Sequence, residues 1–147
     1  MRLFQSVRFL ALALSFIMLS VVACGAGAPT APVQAPQTPL ADAASDSLLL
    51  KAKSIIDAGV NTGSLDTLKQ ARALAKQATG GDAHRALAHY YAALADFRMV
   101  SQYSEDAEDK REQVLQDAIG HLKRATKIDS EMADAWALLT GCYGQMM

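Results

Sequence analysis

The 147-residue chain carries 14 Lys and Arg against 15 Asp and Glu, a formal charge of −1, and is 51% apolar but only 6% aromatic. That length suits one domain of ordinary size with enough apolar residues for a core. The charge balance excludes the basic excess with which nucleic-acid binders neutralise phosphates, and two cysteines cannot build a disulfide framework. The composition is segregated along the chain: all four prolines lie between Pro29 and Pro39, and 17 of the first 23 residues are apolar with no acid among them.

Arg2 and Arg8 precede an apolar run from Phe9 to Ala23 that ends in small residues. A charged start, an apolar run of about 15 residues and a small-residue exit describe a secretory signal peptide over 1–23. A stable membrane span needs ~20 apolar residues and suitable flanks, which leaves a retained anchor as the competing reading. The exit, Val21-Val22-Ala23-Cys24-Gly25, resembles the bacterial lipobox, with an aliphatic residue three positions before the cysteine and a small one directly before it. The resemblance implies that Cys24 is acylated and becomes the new N-terminus. It also implies outer-membrane delivery, because Gly25 stands where the inner-membrane retention signal has Asp. Ordinary cleavage after Ala23 stays open, since Val21 and Ala23 also satisfy a small-x-small rule. Each buried acyl CH₂ contributes ~0.8 kcal/mol, so two or three chains on one residue hold a protein firmly to a bilayer. The mature chain keeps 12 basic and 15 acidic residues, net −3, with no polybasic attraction to anionic lipid.

Residues 24–44 alternate Ala, Pro, Thr and Gln with almost no charge. Such a segment cannot bury enough apolar surface to offset its chain entropy; it reads as a disordered tether, biased to extended conformations at ~3.1 Å per residue.

From Ser45 onward there is no proline, and alanine, the strongest helix former, supplies 25 of the 124 residues that follow Ala23. Five runs show helical periodicity. Leu48, Leu49, Ala52, Ile55 and Ile56 share a face that Gly59–Gly63 interrupts. Leu65, Leu68, Ala71, Ala75 and Ala78 form the second stripe, with Ser64 as N-cap. Thr79-Gly80-Gly81-Asp82 supplies a stop and a new cap. Leu87, Tyr90, Tyr91, Leu94 and Phe97 make the third stripe, and Val114, Leu115, Ala118, Ile119, Leu122 and Ala125 the fourth. A shorter fifth run after Ser130 carries Trp136, Leu139 and Tyr143. No stretch alternates well enough to read as a strand, so residues 45–147 are expected to be all-α.

Two of these runs resemble the tetratricopeptide repeat, a helix-turn-helix unit of about 34 residues. Trp136, Leu139, Thr140 and Tyr143 follow the order of that family's first helix, as do His84, Leu87, Ala88 and Tyr91, with His in place of the bulky apolar residue. Ala118, Leu122 and Ala125 follow the order of its second helix, with Ser130 where proline is common. The resemblance implies a short array of antiparallel helical hairpins, with small residues where axes approach closely. The pair of runs between Ser45 and Ala78 does not align with the family, and a generic helical bundle is the alternative. His84 and Trp136 lie 52 residues apart, 18 more than one unit. The extra residues are expected to lengthen both arms of that hairpin by roughly 13 Å each at 1.5 Å per residue, turning near Ser101–Asp106. The charged run Glu105–Glu112 reads as a solvated helix start, its acids favoured by the helix dipole.

No nucleotide loop, zinc-ligand pair or Ser-His-Asp signature is present, so no catalytic residue, metal or cofactor is assigned. His84 and His89 sit ~140° apart around a helix and cannot easily share a metal. His89 and Asp96 lie two turns apart, beyond direct hydrogen bonding. By resemblance, a concave partner-binding surface falls on Asp82, Arg85, His89 and Ala92 of one unit and Asp134 and Ala137 of the next. There Arg85 and His89, one turn apart, would grip a carboxylate. The last helix, with Trp136, Leu138, Leu139 and Tyr143 and nothing after it to cover them, is a candidate for self-association. The expected function is a lipid-anchored, non-enzymatic scaffold for a protein or peptide partner at the cell envelope, with no nucleic-acid role. The rival is a periplasmic binding protein for a small hydrophobic ligand beside a transport system, which a pocket lined by Tyr90, Tyr91 and Leu94 would favour.

Overall fold

The computed structural model describes the backbone of residues 39–147 and the side chains from Asp42 onward. Residues 1–38, on which the expected signal peptide, the expected acylation of Cys24 and most of the expected tether fall, lie outside the described residues. Five helices follow in order: α1 (Pro39–Thr62), α2 (Leu65–Ala78), α3 (Arg85–Val100), α4 (Glu108–Ile128) and α5 (Ala133–Met146). There is no strand among the described residues, and none of these helices is long and apolar enough to cross a membrane.

Helix α1 begins six residues earlier than the composition predicts, so the end of the presumed tether, 39–44, is helical. Pro39 accounts for the start: its fixed φ suits the first helical position, where a missing N–H is no loss. Asp42 adds a favourable acid in the first turn. The helix also runs through Gly59 and stops only at Gly63, whose φ is +65°. The stop is a Schellman motif: Ser64 N–H donates to the Gly59 carbonyl at 3.0 Å and Gly63 N–H to that of Val60 at 3.4 Å. Ser64 then caps α2, its Oγ accepting from Thr67 N–H at 3.3 Å. Gly59 stays in α1 because α2 lies against it; a Cβ there would stand 2.8 Å from Leu68 Cδ2.

The first three helices meet along a seam made mainly of alanine. Leu49 meets Ala78 and Ala88, Ala52 meets Ala75 and Ala92, and Ile56 meets Ala71 and Ala95. Residue numbers rise on α1 and α3 and fall on α2, the signature of antiparallel neighbours, with one residue from each helix per layer. Side chains this small allow the axes to come close. The larger core lies beyond, where Leu68, Met99, Val100, Val114, Leu115, Ile119, Leu122 and Leu139 pack between α2, α3, α4 and α5.

Three expectations change here. Asp82 does not cap α3: the N-cap is His84, without a side-chain cap bond, and Asp82 pairs with Arg85 instead. The extra residues fall unevenly, since α3 has 16 and α4 has 21 against 14 in α2 and α5. Thus α4 gains about 10 Å and α3 only about 3 Å at 1.5 Å per residue, and the connection spans 101–107. Among the residues expected to pack the repeat, Ala88, Ala118, Leu122 and Ala125 are fully buried and Leu139 nearly so. Leu87 and Tyr91 are half-buried. Trp136 and Tyr143 remain 49% and 44% exposed, because no described element covers the outer face of α5. Trp136 Nε1–H donates to the Ser130 carbonyl at 3.0 Å, which lays the indole along the α4–α5 turn.

Leu122→Ala, at a fully buried site, is expected to cost about 2–5 kcal/mol in urea denaturation. Leu50→Ala, at a site 72% exposed, should change stability by no more than about 0.5 kcal/mol. Gly63→Ala, which forces an L side chain to φ +65°, should cost about 1–2 kcal/mol.

Candidate functional site

Two surfaces gather side chains able to recognise something. The first is a trough between α1 and α3, on the side of the alanine seam away from α2. Its upper half, about 290 Å³, is lined by Leu49, Leu50, Leu87 and Tyr91, with Asp46 and His84 at the rim. Its lower half, about 230 Å³, is lined by Ile56, Val60 and Leu94, with Asp57 and Arg98 at the rim. The apolar residues recur at helical spacing on both walls, the pattern that an amphipathic partner helix would meet. His84 Nε2 stands 3.0 Å from Asp46 Oδ1 and ties the start of α3 to α1. Leu50, at 72% exposure, is the most open apolar residue of this wall.

The second surface is a cleft between α2 and α4, floored by α3. Both outer helices pack on α3 and their backbones do not come into contact, although the Arg72 guanidinium of α2 reaches Asp117 of α4. The space left, about 220 Å³, is bounded by Arg72 and Lys76 from α2, Asp96 from α3, and Asp117, His121 and Arg124 from α4. Asp96 is fully buried in the otherwise apolar middle of α3. Arg72 Nη1 donates to its Oδ1 at 2.9 Å and lies 3.9 Å from Asp117 Oδ2, while Asp96 Oδ2 has no hydrogen-bond partner. Burial pushes the Asp96 carboxyl up to about 7 despite the opposing pull of Arg72. Next to it, His89 of α3 and His121 of α4 face each other with their Nδ1 atoms 3.0 Å apart. One ring must donate and the other accept, so the accepting ring at least is neutral when the bond is made. Burial drives His121 down to about 4, with His89, Arg124 and Lys76 adding to the effect. Burial, then Arg124 and Arg85, lower His89.

The residues expected on one concave surface are therefore dispersed. Asp82 and Arg85 pair with each other, and His89 turns into the α3–α4 seam, so Arg85 and His89 do not form the expected clasp. Ala92 is buried in the alanine seam. Asp134 sits in the first turn of α5, where its charge helps burial raise the Tyr90 phenol. Tyr90, Tyr91 and Leu94 line no common cavity: Tyr90 packs on the α3–α5 core, while Tyr91 and Leu94 belong to the two halves of the trough. His84, His89 and Asp96 do not converge either, each being held by a different partner. Cys142 is buried in α5, and burial raises its thiol to about 11. No group of three or more metal-ligating side chains is found among the described residues.

Sequence reasoning missed Arg72, Lys76, Asp96, Asp117, His121 and Arg124 as a cluster. One signal was available: an acid inside the run from Tyr90 to Val100 demands a buried counter-charge. Its partner 24 residues away carried no mark.

The buried groups make opposite contributions to pH dependence. Asp96 has a folded pKa above its usual 3.8, so its contribution is fully present below pH 3.8 and is lost as pH rises toward 7. His121 has a folded value below its usual 6.5, so its contribution is present above pH 6.5 and is lost as pH falls toward 4; His89 acts in the same direction. Asp96→Asn is therefore expected to steepen the rise of unfolding free energy between about pH 4 and 6.5. The double variant His89→Gln/His121→Gln should reverse the slope, as followed by urea titrations across that range.

No protein-family model matches the chain. No curated protein matches it, and no solved structure does.

Proposed function

We propose that the chain is a non-enzymatic docking scaffold: tetratricopeptide-like hairpins, tethered at the cell envelope by an acylated Cys24, that receive an amphipathic helical segment of a protein partner. The observation that carries this reading is the apolar trough between α1 and α3. Its upper part is walled by Leu49, Leu50, Leu87 and Tyr91, and its lower, more polar part by Ile56, Val60 and Leu94 with Asp57, Asn61 and Arg98. An open trough with apolar walls and charged rims suits a peptide helix more than a small molecule, which needs enclosure over most of its surface. The lipobox at Val21–Cys24 supports the anchor, and the proline-rich run after it supports a spacer. The half-exposed Trp136 and Tyr143 on α5 support a second contact surface, for self-association or for another partner.

Selection from a displayed peptide library against the folded protein tests the docking reading. Enriched peptides should carry apolar residues at i, i+3 or i+4 and i+7. They should lose at least about tenfold in affinity, ~1.4 kcal/mol, to Leu50→Asp, a substitution at an exposed site that leaves the melting temperature nearly unchanged. Peptides that bind Leu50→Asp as well as the parent would overturn the assignment of the trough. For the anchor, the intact mass of membrane-extracted protein should show acyl chains on a chain that begins at Cys24. Cys24→Ser should move the protein out of the membrane fraction.

A further inference from the structure

Among the described helices α5 packs only on α4 and α3, and its outward face is continuous. Trp136 and Tyr143 stand there on one side, seven residues apart and 49% and 44% exposed. Beside them run Ala133, Ala137, Thr140, Gly144 and Met147, all exposed, at alternating intervals of four and three, the spacing of a seam between two helices. None of these seven residues carries a charged side chain. Charge begins only at the margins. Lys123 Nζ of α4 lies 5.9 Å from the centroid of the Tyr143 ring, and Asp134, whose charge reaches Tyr90 of α3, is about 120° round the helix from Thr140. The face has also settled its hydrogen bonds internally. Trp136 Nε1–H donates to the Ser130 carbonyl and Thr140 Oγ1–H to the Trp136 carbonyl, both at 3.0 Å. Covering either residue therefore strands no donor, and the Tyr143 hydroxyl at the edge can keep its water. Nothing stands within 4 Å of where a Gly144 Cβ would be, so a neighbouring backbone has room to approach.

We propose that a second copy of this chain covers this face, α5 against α5, antiparallel about a two-fold axis that passes beside Thr140. The proposal rests on the second contact surface named above and not on the trough. A two-fold contact sets one surface against itself, so any charge on it meets its like; this face has none to repel its copy and none to hold a charged partner. The axis also supplies an antiparallel neighbour, the relation that α1, α2 and α3 already keep among themselves, with opposed helix dipoles. In this register Trp136 of each copy lies beside Tyr143 of the other, two aromatic pairs from one contact. On the far side of the seam Ala137 meets Gly144 of the other copy, where small residues let the backbones come close. Half-exposed Trp and Tyr, which bury about 150–250 Å² each when enclosed, have roughly 200 Å² left to lose between them. The seam adds a similar area, and a total of about 800 Å² over both copies belongs to weak, reversible association, with a dissociation constant of roughly 10–500 µM.

Sedimentation velocity of the exported protein, carrying Cys24→Ser to remove any acyl anchor, tests the proposal between about 5 and 1,000 µM. A reversible monomer–dimer equilibrium is expected. Thr140→Glu sets two carboxylates face to face at the axis while improving helix propensity. It should weaken the dimer at least about tenfold, with the circular dichroism and melting curve of the dilute parent. Thr140→Lys should do the same with two ammonium groups. Mixed one to one, the two variants should regain a dimer, because opposite charges then meet at the axis. Leu50→Asp, on the trough, should leave the dimer unchanged, so the α5 contact and peptide docking can fail separately. A single monomer throughout the range, a dimer indifferent to both Thr140 variants, no recovery on mixing them, or a dimer lost in Leu50→Asp would each overturn the proposal.

Discussion

The arrangement rests on how closely α1, α2 and α3 approach one another. Three successive layers place Leu49, Ala52 and Ile56 of α1 against alanines of both other helices, at 78, 75 and 71 on α2 and 88, 92 and 95 on α3. A methyl group at each crossing lets the axes approach closely, and any larger residue would wedge three helices apart at once. Close packing of this kind tolerates added volume poorly. The Gly59–Leu68 contact continues the same requirement to the α1–α2 turn.

A seam so narrow has no room for bulky side chains, and their displacement creates both surfaces. Leu50, Leu87, Tyr91 and Leu94 are pushed to the side away from α2 and become the walls of the trough. On the opposite flank, α2 and α4 are separated by the width of α3, and the gap is filled with charge instead of hydrocarbon. Asp96 is tolerable there only because Arg72 reaches it from α2, and the histidine pair stitches α3 to α4 beside it. The Arg72–Asp96 ion pair and the His89–His121 hydrogen bond thus occupy the flank where the backbones of α2 and α4 stay apart.

What the sequence disclosed follows the same division. Periodicity identified all five helices, because alanine and leucine stripes report directly on one buried face per helix, and the polar cluster near Ser101–Asp106 fell within the observed 101–107 connection. The Ser64 cap was legible because capping is local, with its bond spanning three residues. The start of α1 was not: the last proline of a proline-rich run reads as tether, yet Pro39 occupies the one helical position that favours it. The cap assigned to Asp82 failed because a nearby Arg85 competes for the same carboxylate. The cleft was illegible for a different reason. Arg72 with Asp96, and His89 with His121, are joined only by the angle between helices, and periodicity within one helix carries no information about which of its polar residues faces a neighbour.

The lone tryptophan of the chain lies in the first turn of α5, its indole tied to a backbone oxygen of the α4–α5 turn and half open to water. Its emission is therefore a local gauge of whether α5 is docked, whereas helical ellipticity averages over every helix. If α5 detaches before the alanine-sealed part melts, the two optical signals will separate along a denaturation curve; if they coincide, the terminal helix belongs to the same cooperative unit as the rest.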